Sequence, residues 1–423
     1  MIAQHPFGSP AFNQVAKGMI ELHRLMKEGK DDSPEADAVR DAMDAPYAEL
    51  NKQERERIGW LSEDLYSISD PPDEVVIKEM NPQSLRYLME SFEAREKGYW
   101  DSALAILRRW RSYIEPVLLS VMRGEIWQLA GNFDVATEFY GHAVSCEPSN
   151  PKYLNLYILS LWYSDPAMAQ KASVNILNEE TNNTPAVIAR AAGICIQAAK
   201  QVSDPEAAKV SRWLVPILER NVERLKLNSE VHDGEESAHS LTISILGFCH
   251  ECLGDVDAAV EHYTNALEFY PDDEVFLITR AIHLYGKSSD SIMDFERTVK
   301  LGSKIIWPYF FLANHYLTNN RFEACRKMCE SGLRREGPDT AKSQLEEWHA
   351  IAQAELGFSP DLVLKTFDAA IALDPANERA KRNKATFEQN FKPAQPTHAQ
   401  WEQKPVEEIR QFGLNERRYF LAA

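Results

Sequence analysis

Between residues 240 and 273, Leu246-Gly247, His250, Gly254, Ala259, Tyr263, Ala266 and Pro271 fall at fixed spacings. The same grammar returns between residues 117 and 150 as Gly124, Trp127, Gly131, Phe133, Ala136, Tyr140, Ala143 and Pro148, which excludes chance. Each residue type has a physical task. Small residues let two antiparallel helices approach closely, the aromatic fills the space between them, and proline ends the second helix by removing a backbone donor. At 423 residues the chain is longer than a single core usually grows. A stack of helical hairpins, each burying its apolar face against the next, resolves that difficulty.

This pattern resembles the tetratricopeptide repeat, a unit of about 34 residues with a Leu-Gly pair in its first helix and an Ala–aromatic–Ala series in its second. Three further stretches carry it less completely. Residues 84–116 have Ala94, Gly98, Trp100, Ala103 and Leu107, with Trp110 where a small residue is usual and no closing proline. Residues 306–339 supply Leu312-Ala313, Tyr316, Phe322, Cys325, Cys329 and Gly332, and residues 344–377 supply Ala352, Phe367, Ala370 and Pro375. Residues 151–183, 184–238 and 274–305 keep helical periodicity and lose the template. The resemblance implies an all-α fold: a right-handed superhelical α-solenoid of helical hairpins with an N-terminal helical region. The expected divisions are an acidic N-terminal helical region at 1–80, repeats at 84–227, a polar break at 228–238, repeats at 239–377, a capping helix at 378–391 and a proline-containing tail at 392–423. A short helix is predicted in the tail over 405–412. The capping helix is expected to use Phe387 and Phe391 as its apolar contacts.

Ahead of the repeats, Phe12, Val15, Met19, Leu22, Leu25 and Met26 recur at helical spacing. Ser33-Pro34 then reads as a cap and first turn of a helix through Met43, and Asn51 as the cap of a helix through Tyr66. From residue 21 to 80 there are 17 acidic and 8 basic side chains, a net of −9; from residue 376 onward there are 9 basic and 6 acidic, a net of +3. Solvated helix faces account for such a run. Attraction of a basic partner, or of the chain's own tail, is the alternative.

The whole chain sets 64 acidic against 46 basic residues, a net charge of −18 that opposes phosphate backbones and anionic headgroups. Neither nucleic acid nor membrane is an expected partner, and a DNA-reading head would be basic. The first thirty residues lack the pattern of a signal peptide, and six scattered cysteines do not form a disulfide framework, so a cytoplasmic location is expected. Cys249, Cys252, Cys325 and Cys329 invite a zinc reading, but Cys249 and Cys252 lie inside a predicted first helix, Cys325 and Cys329 fall where a second helix faces the core, and core packing is the expected role. No metal, cofactor or catalytic residue is expected. The sequence has no phosphate loop, nucleophile elbow or paired-histidine motif, and His250, His262, His283 and His315 fall on separate helices.

Resemblance to tetratricopeptide arrays implies a non-catalytic scaffold that holds a peptide or partner helix in a groove lined by first helices. The chaperone-binding subfamily uses Lys and Asn at fixed first-helix positions. The corresponding residues here are Val121 and Glu125, Ser244 and Phe248, then Phe310 and Asn314, and only Asn314 matches. The expected groove residues are Ser244, Phe248 and Glu251 in one unit and Phe310, Asn314 and Leu317 in another. Two alternatives stand beside this: a regulatory or substrate-recruiting subunit of a larger enzyme or secretion complex, and a small sensor or enzymatic N-terminal domain with the repeats as its recruiting arm. The sequence leaves the partner and the oligomeric state open.

Overall fold

The structure, a computed structural model, describes residues 8–69, 77–79, 81–227, 235–390 and 400–416. Every regular element among them is helical, apart from an isolated parallel bridge between Ile305 and Glu336. The chain divides into two compact units, Met1–Val210 with Pro216–His239, and Ser211–Val215 with Ser240–Ala423. Of the break expected at 228–238, residues 228–234 lie outside the described residues and 235–238 open a helix. Phe391 and the tail residues 392–399 and 417–423 also lie outside them.

The first unit comprises α1 (Pro10–Lys27), α2 (Pro34–Glu49), α3 (Lys52–Ser69), α4 (Pro82–Glu96), α5 (Trp100–Trp110), α6 (Pro116–Leu129), α7 (Phe133–Cys146), α8 (Pro151–Ser164), α9 (Pro166–Asn178), α10 (Pro185–Val202) and most of α11 (Asp204–Leu227). Prolines open many of these helices because the first-turn N–H needs no partner. Ser33 caps α2 by accepting from Ala36 N at 3.2 Å, though the helix continues through Pro46 to Glu49, beyond the expected end at Met43. Asn51 and Glu54 cap α3 reciprocally, at 3.0 and 3.1 Å. The other oxygen of Glu54 accepts from Ser9 N at 2.8 Å, so one buried carboxylate fixes the starts of both α1 and α3.

These N-terminal helices share one apolar core with α4–α7. Phe12 stacks on Trp127 with ring centroids 6.3 Å apart. Asp64 is buried between Arg108 Nη1 at 2.6 Å and Arg123 Nη2 at 2.8 Å, and Glu138 of α7 takes Arg24 Nε at 2.8 Å. Part of the acidic excess read as solvated faces is therefore paired inside the unit. An isolated buried carboxylate would be costly, whereas two guanidinium partners make Asp64 tenable and fix the register of α3 on α5 and α6.

The second unit comprises α12 (Glu235–Cys252) from Ser240 onward, α13 (Val256–Phe269), α14 (Glu274–Leu284), α15 (Asp290–Lys300), α16 (Trp307–Thr318), α17 (Phe322–Gly332), α18 (Asp339–Glu355), α19 (Pro360–Leu373), α20 (Glu378–Asn390) and α21 (Val406–Glu416), with Ser211–Val215 of α11. In both units the repeat residues perform the tasks read from their spacing. A Cβ on Gly124 would lie 2.6 Å from the Tyr140 ring, and one on Gly247 would lie 2.5 Å from that of Tyr263, so only glycine admits the aromatic there. The buried hydroxyls find partners one turn further on: Tyr140 donates to Gln128 at 2.9 Å and Tyr263 to Glu251 at 2.7 Å. Ala136, Ala143, Ala259 and Ala266 are fully buried where the helices touch.

The hairpin turns also repeat. At Gly131 the backbone turns left-handed (φ 83°), with Gly131 N bonded to Gln128 O and Asn132 N to Trp127 O, each at 2.9 Å. The same turn ends the first helix at Gly254 and Gly357, and between α16 and α17 its left-handed residue is Asn320 (φ 55°). Asparagine tolerates that region better than other side chains, which keeps the turn where the glycine template fails.

Two outcomes follow from this packing. Replacing Ala259 by leucine should destabilise by about 1–3 kcal/mol through overpacking; an unchanged denaturant midpoint would contradict the contact. Burial, reinforced by Lys27, Arg24 and His142, lowers the pKa of His23 from 6.5 to about 4. The unfolded chain then takes up this proton first, so His23 contributes stability that is complete above pH 6.5 and is lost as pH falls toward 4. Burial lowers His142 in the same direction. Thermal midpoints across that window should fall less steeply in His23→Gln than in the wild type, and parallel curves would refute the assignment.

Candidate functional site

The expected groove residues are not an open surface. Phe310, Asn314 and Leu317 retain 0%, 2% and 1% of their exposure, Ser244 retains 9%, and Phe248 and Glu251 are half-buried. Phe310, Asn314 and Leu317, expected to line a partner groove, are closed over in the folded chain, for reasons visible in their neighbours. Phe310 meets Trp307 at 5.6 Å, Phe311 at 5.5 Å and Trp348 at 4.7 Å between ring centroids. Asn314 Oδ1 accepts from the Tyr285 hydroxyl at 2.8 Å, and Leu317 belongs to the apolar core of the unit. Glu251 accepts from Tyr263 and lies 2.9 Å from His283 Nε2, which commits it to holding α12, α13 and α14 together.

What covers Phe310 from the remaining side is the chain's own C-terminal segment. Helix α21 lies on α14 and, through Phe412 and Gly413, touches α16. Its Phe412 ring packs against Trp307 at 5.9 Å and Phe310 at 5.6 Å, and Ile409 is fully buried. At Gly413 a Cβ would stand 2.5 Å from Phe311 and 3.7 Å from Ile282, so the absence of a side chain lets the helix settle on α14 and α16. Val406 packs over Gly286, itself left-handed at φ 76°, where any side chain would collide with it.

Before α21, residues 401–404 run without regular structure past α18 and α20. Trp401 Nε1 donates to Glu355 at 2.8 Å, and its ring lies 6.3 Å from Phe367. The Arg382 guanidinium grips Glu402 through two bonds of 2.6 and 2.7 Å and holds that carboxyl below its ordinary pKa. Asn383 treats Glu402 as backbone: its Nδ2 donates to the Glu402 carbonyl at 3.0 Å and its Oδ1 accepts from the Glu402 N–H at 2.9 Å. An amide side chain paired this way reads the main chain and not the side chain it belongs to.

Beneath this clamp lies Glu347, with no exposure at all. Arg379 Nε and Nη2 donate to its two oxygens at 2.7 Å each, Asn383 Nδ2 donates at 2.7 Å, and Asn377 Nδ2 at 3.3 Å. This network docks α20 on α18 and aims Asn383 outward. The helix expected to be a plain polar cap, with Phe387 as its buried apolar contact, therefore also holds the chain's own residue Glu402.

Cys249, Cys325 and Cys329 are fully buried, with the sulfurs of Cys325 and Cys329 3.9 Å apart. Burial pushes the Cys249 thiol up to about 12, so it stays neutral and packs as a small apolar side chain. No helix among the described residues is long and apolar enough to cross a membrane.

The spacing of Val406, Ile409 and Phe412 after Pro405 is helical and apolar on one side, a pattern present in the sequence but not assigned a role there. Asn383 and Arg382 gave no such warning, since polar residues on a terminal helix are ordinary.

No protein-family model matches the chain, and no curated protein matches it by sequence. Among solved structures, it is similar to the C-terminal part of a TPR repeat-containing protein from Cytophaga hutchinsonii (12% identity over 70% of this chain and 98% of that one, TM-score 0.34). It is also similar to the Cut9–Hcn1 hetero-tetramer of the APC/C (16%, 88% and 68%, 0.34) and to yeast Tom70 (13%, 69% and 76%, 0.24).

Removing Glu347 should separate the cap from the face. Glu347→Leu leaves Arg379 buried without its carboxylate and is expected to lose about 3–5 kcal/mol, whereas Glu402→Gln, breaking an exposed pair, should leave the urea midpoint nearly where it was. Equal urea midpoints for the two variants would mean that Arg379 is hydrated in the folded protein. The identities and scores of the solved structures are too low to carry an argument; the chain's own residues, with their left-handed hairpin turns and ring-over-glycine packing, make an all-α protein built of helical hairpins.

Proposed function

We propose that the chain is a non-catalytic protein-interaction scaffold whose second unit holds polypeptide segments on the face formed by α14, α16, α18 and α20. One observation carries this reading: a segment of polypeptide, residues 401–416, rests on that face through a main-chain clamp, a carboxylate clamp and an aromatic cradle. These are the elements by which a peptide-binding surface combines affinity with selectivity, since backbone bonds fix the chain and pockets choose the side chains. The net charge of −18 favours a protein partner over a nucleic acid.

Affinity purification of the full chain from its native cell, with cross-linking before lysis, tests the proposal. The expected result is a partner protein recovered in stoichiometric amount, cross-linked at Lys287, which follows α14 directly beside the Val406 contact. Recovery of the chain alone would refute it.

A further inference from the structure

We infer that residues 400–416 are a resident, exchangeable ligand of this face, and that the partner it fits is a segment of the same chemistry. That segment carries an indole and a carboxylate in chain without regular structure, followed by a short amphipathic helix with an aliphatic residue and, three and four positions later, an aromatic and a glycine. The inference rests on the reading of the second unit as a scaffold and assigns the recognition chemistry and its control.

The face is built without the tail. Arg379 and Asn377 satisfy the Glu347 oxygens from α20 and its approach, and Trp307, Phe310, Phe311 and Trp348 form a continuous ring cluster within α16 and α18. The tail adds Ile409, which joins the apolar core of the unit, and a set of outer contacts: Trp401 on Glu355 and Phe367, Glu402 on Arg382 and Asn383, Val406 on Gly286, Phe412 on Trp307 and Phe310, Gly413 on Phe311. Each of these reads a feature that another chain can supply.

The tail is also weakly held. Helix α21 has 11 residues, fewer than the roughly 12–15 at which even favourable sequences become marginal helices in water, so it forms by docking. Of its described side chains only Ile409 is fully buried, while Val406, Glu407, Glu408 and Gln411 face solvent. A segment with so few buried anchors belongs to the part of a structure that opens first. Its hold comes from tethering, which supplies an effective concentration on the order of millimolar. A partner bearing the same features in better register displaces it.

A fluorescein-labelled peptide of residues 400–416 tests this against the full chain by fluorescence anisotropy. The wild type should take up the peptide poorly because its own tail competes. Gly413→Leu drives a side chain into Phe311, and Phe412→Asp removes the aromatic anchor and places a charge against Trp307; each should bind the peptide at least about tenfold more tightly than the wild type. Adding Arg382→Glu to Gly413→Leu should reverse the gain. The inference is overturned if both variants keep the wild-type circular dichroism yet bind no more peptide than the wild type. It is equally overturned if both lose cooperative unfolding, which would make α21 a fixed part of the core. A wild-type dimer that dissociates on Phe412→Asp would assign the occupant to the tail of a second copy and overturn exchange within one chain. Failed peptide uptake alongside successful partner capture leaves the scaffold reading intact on another surface, and the reverse pairing removes the scaffold reading alone.

Discussion

The close approach of two helices around one aromatic ring underlies both units. Tyr140 over Gly124 and Tyr263 over Gly247 occupy volume that any other residue at the glycine would claim, and the phenol oxygen of each reaches a polar side chain one turn along the facing helix. The pairing does two jobs. It sets the helix separation through steric exclusion, and it sets the axial register through a hydrogen bond that a buried hydroxyl cannot forgo cheaply. Apolar burial alone would permit the second helix to slide; the hydroxyl contact does not. Glu251 is drawn into this role, which explains why a carboxylate expected on a binding surface is instead occupied within its own hairpins.

Elements outside the repeats attach differently, through buried charge. Asp64 joins α3 to α5 and α6 in the first unit, and Glu347 joins α20 to α18 in the second. Replacing such groups by apolar residues of similar size is often neutral or stabilising in general, so their value lies in orientation more than in stability. At Glu347 the orientation has a visible product. The carboxylate anchors Asn383 through one donor bond and leaves the rest of the amide free to pair with the main chain of Glu402.

Legibility in the sequence follows the distance over which the determining contacts act. The hairpins were readable because glycine, aromatic and proline positions lie within one unit and state their geometry locally, down to the left-handed turns at Gly131 and Gly254. The start of α2 at Ser33-Pro34 was readable for the same reason. The burial of Phe310, Asn314 and Leu317 was not legible because the template counts only the two helices of a unit. Trp348 comes from the next hairpin, Tyr285 from the previous one and Phe412 from the tail, and together they close over positions that an isolated repeat would expose. The face itself was hidden further still. Glycine at 413 acquires meaning only once Phe311 is known to stand beneath it, and nothing near either residue in sequence announces the other.

The division of labour between face and tail has a thermodynamic consequence. The ring cluster and the Glu347 network are closed by residues of α16, α18 and α20 and do not wait for a ligand, so their ordering is complete before anything binds. The tail is the reverse case, a helix too short to persist free whose backbone is fixed only on arrival. Ordering then falls almost wholly on the incoming segment, and the interaction free energy that survives is modest for the surface covered. A preformed receiving face with a ligand that folds on contact thus gives selectivity from several simultaneous features without a hold too tight to reverse, because each feature contributes little unless the others are already engaged.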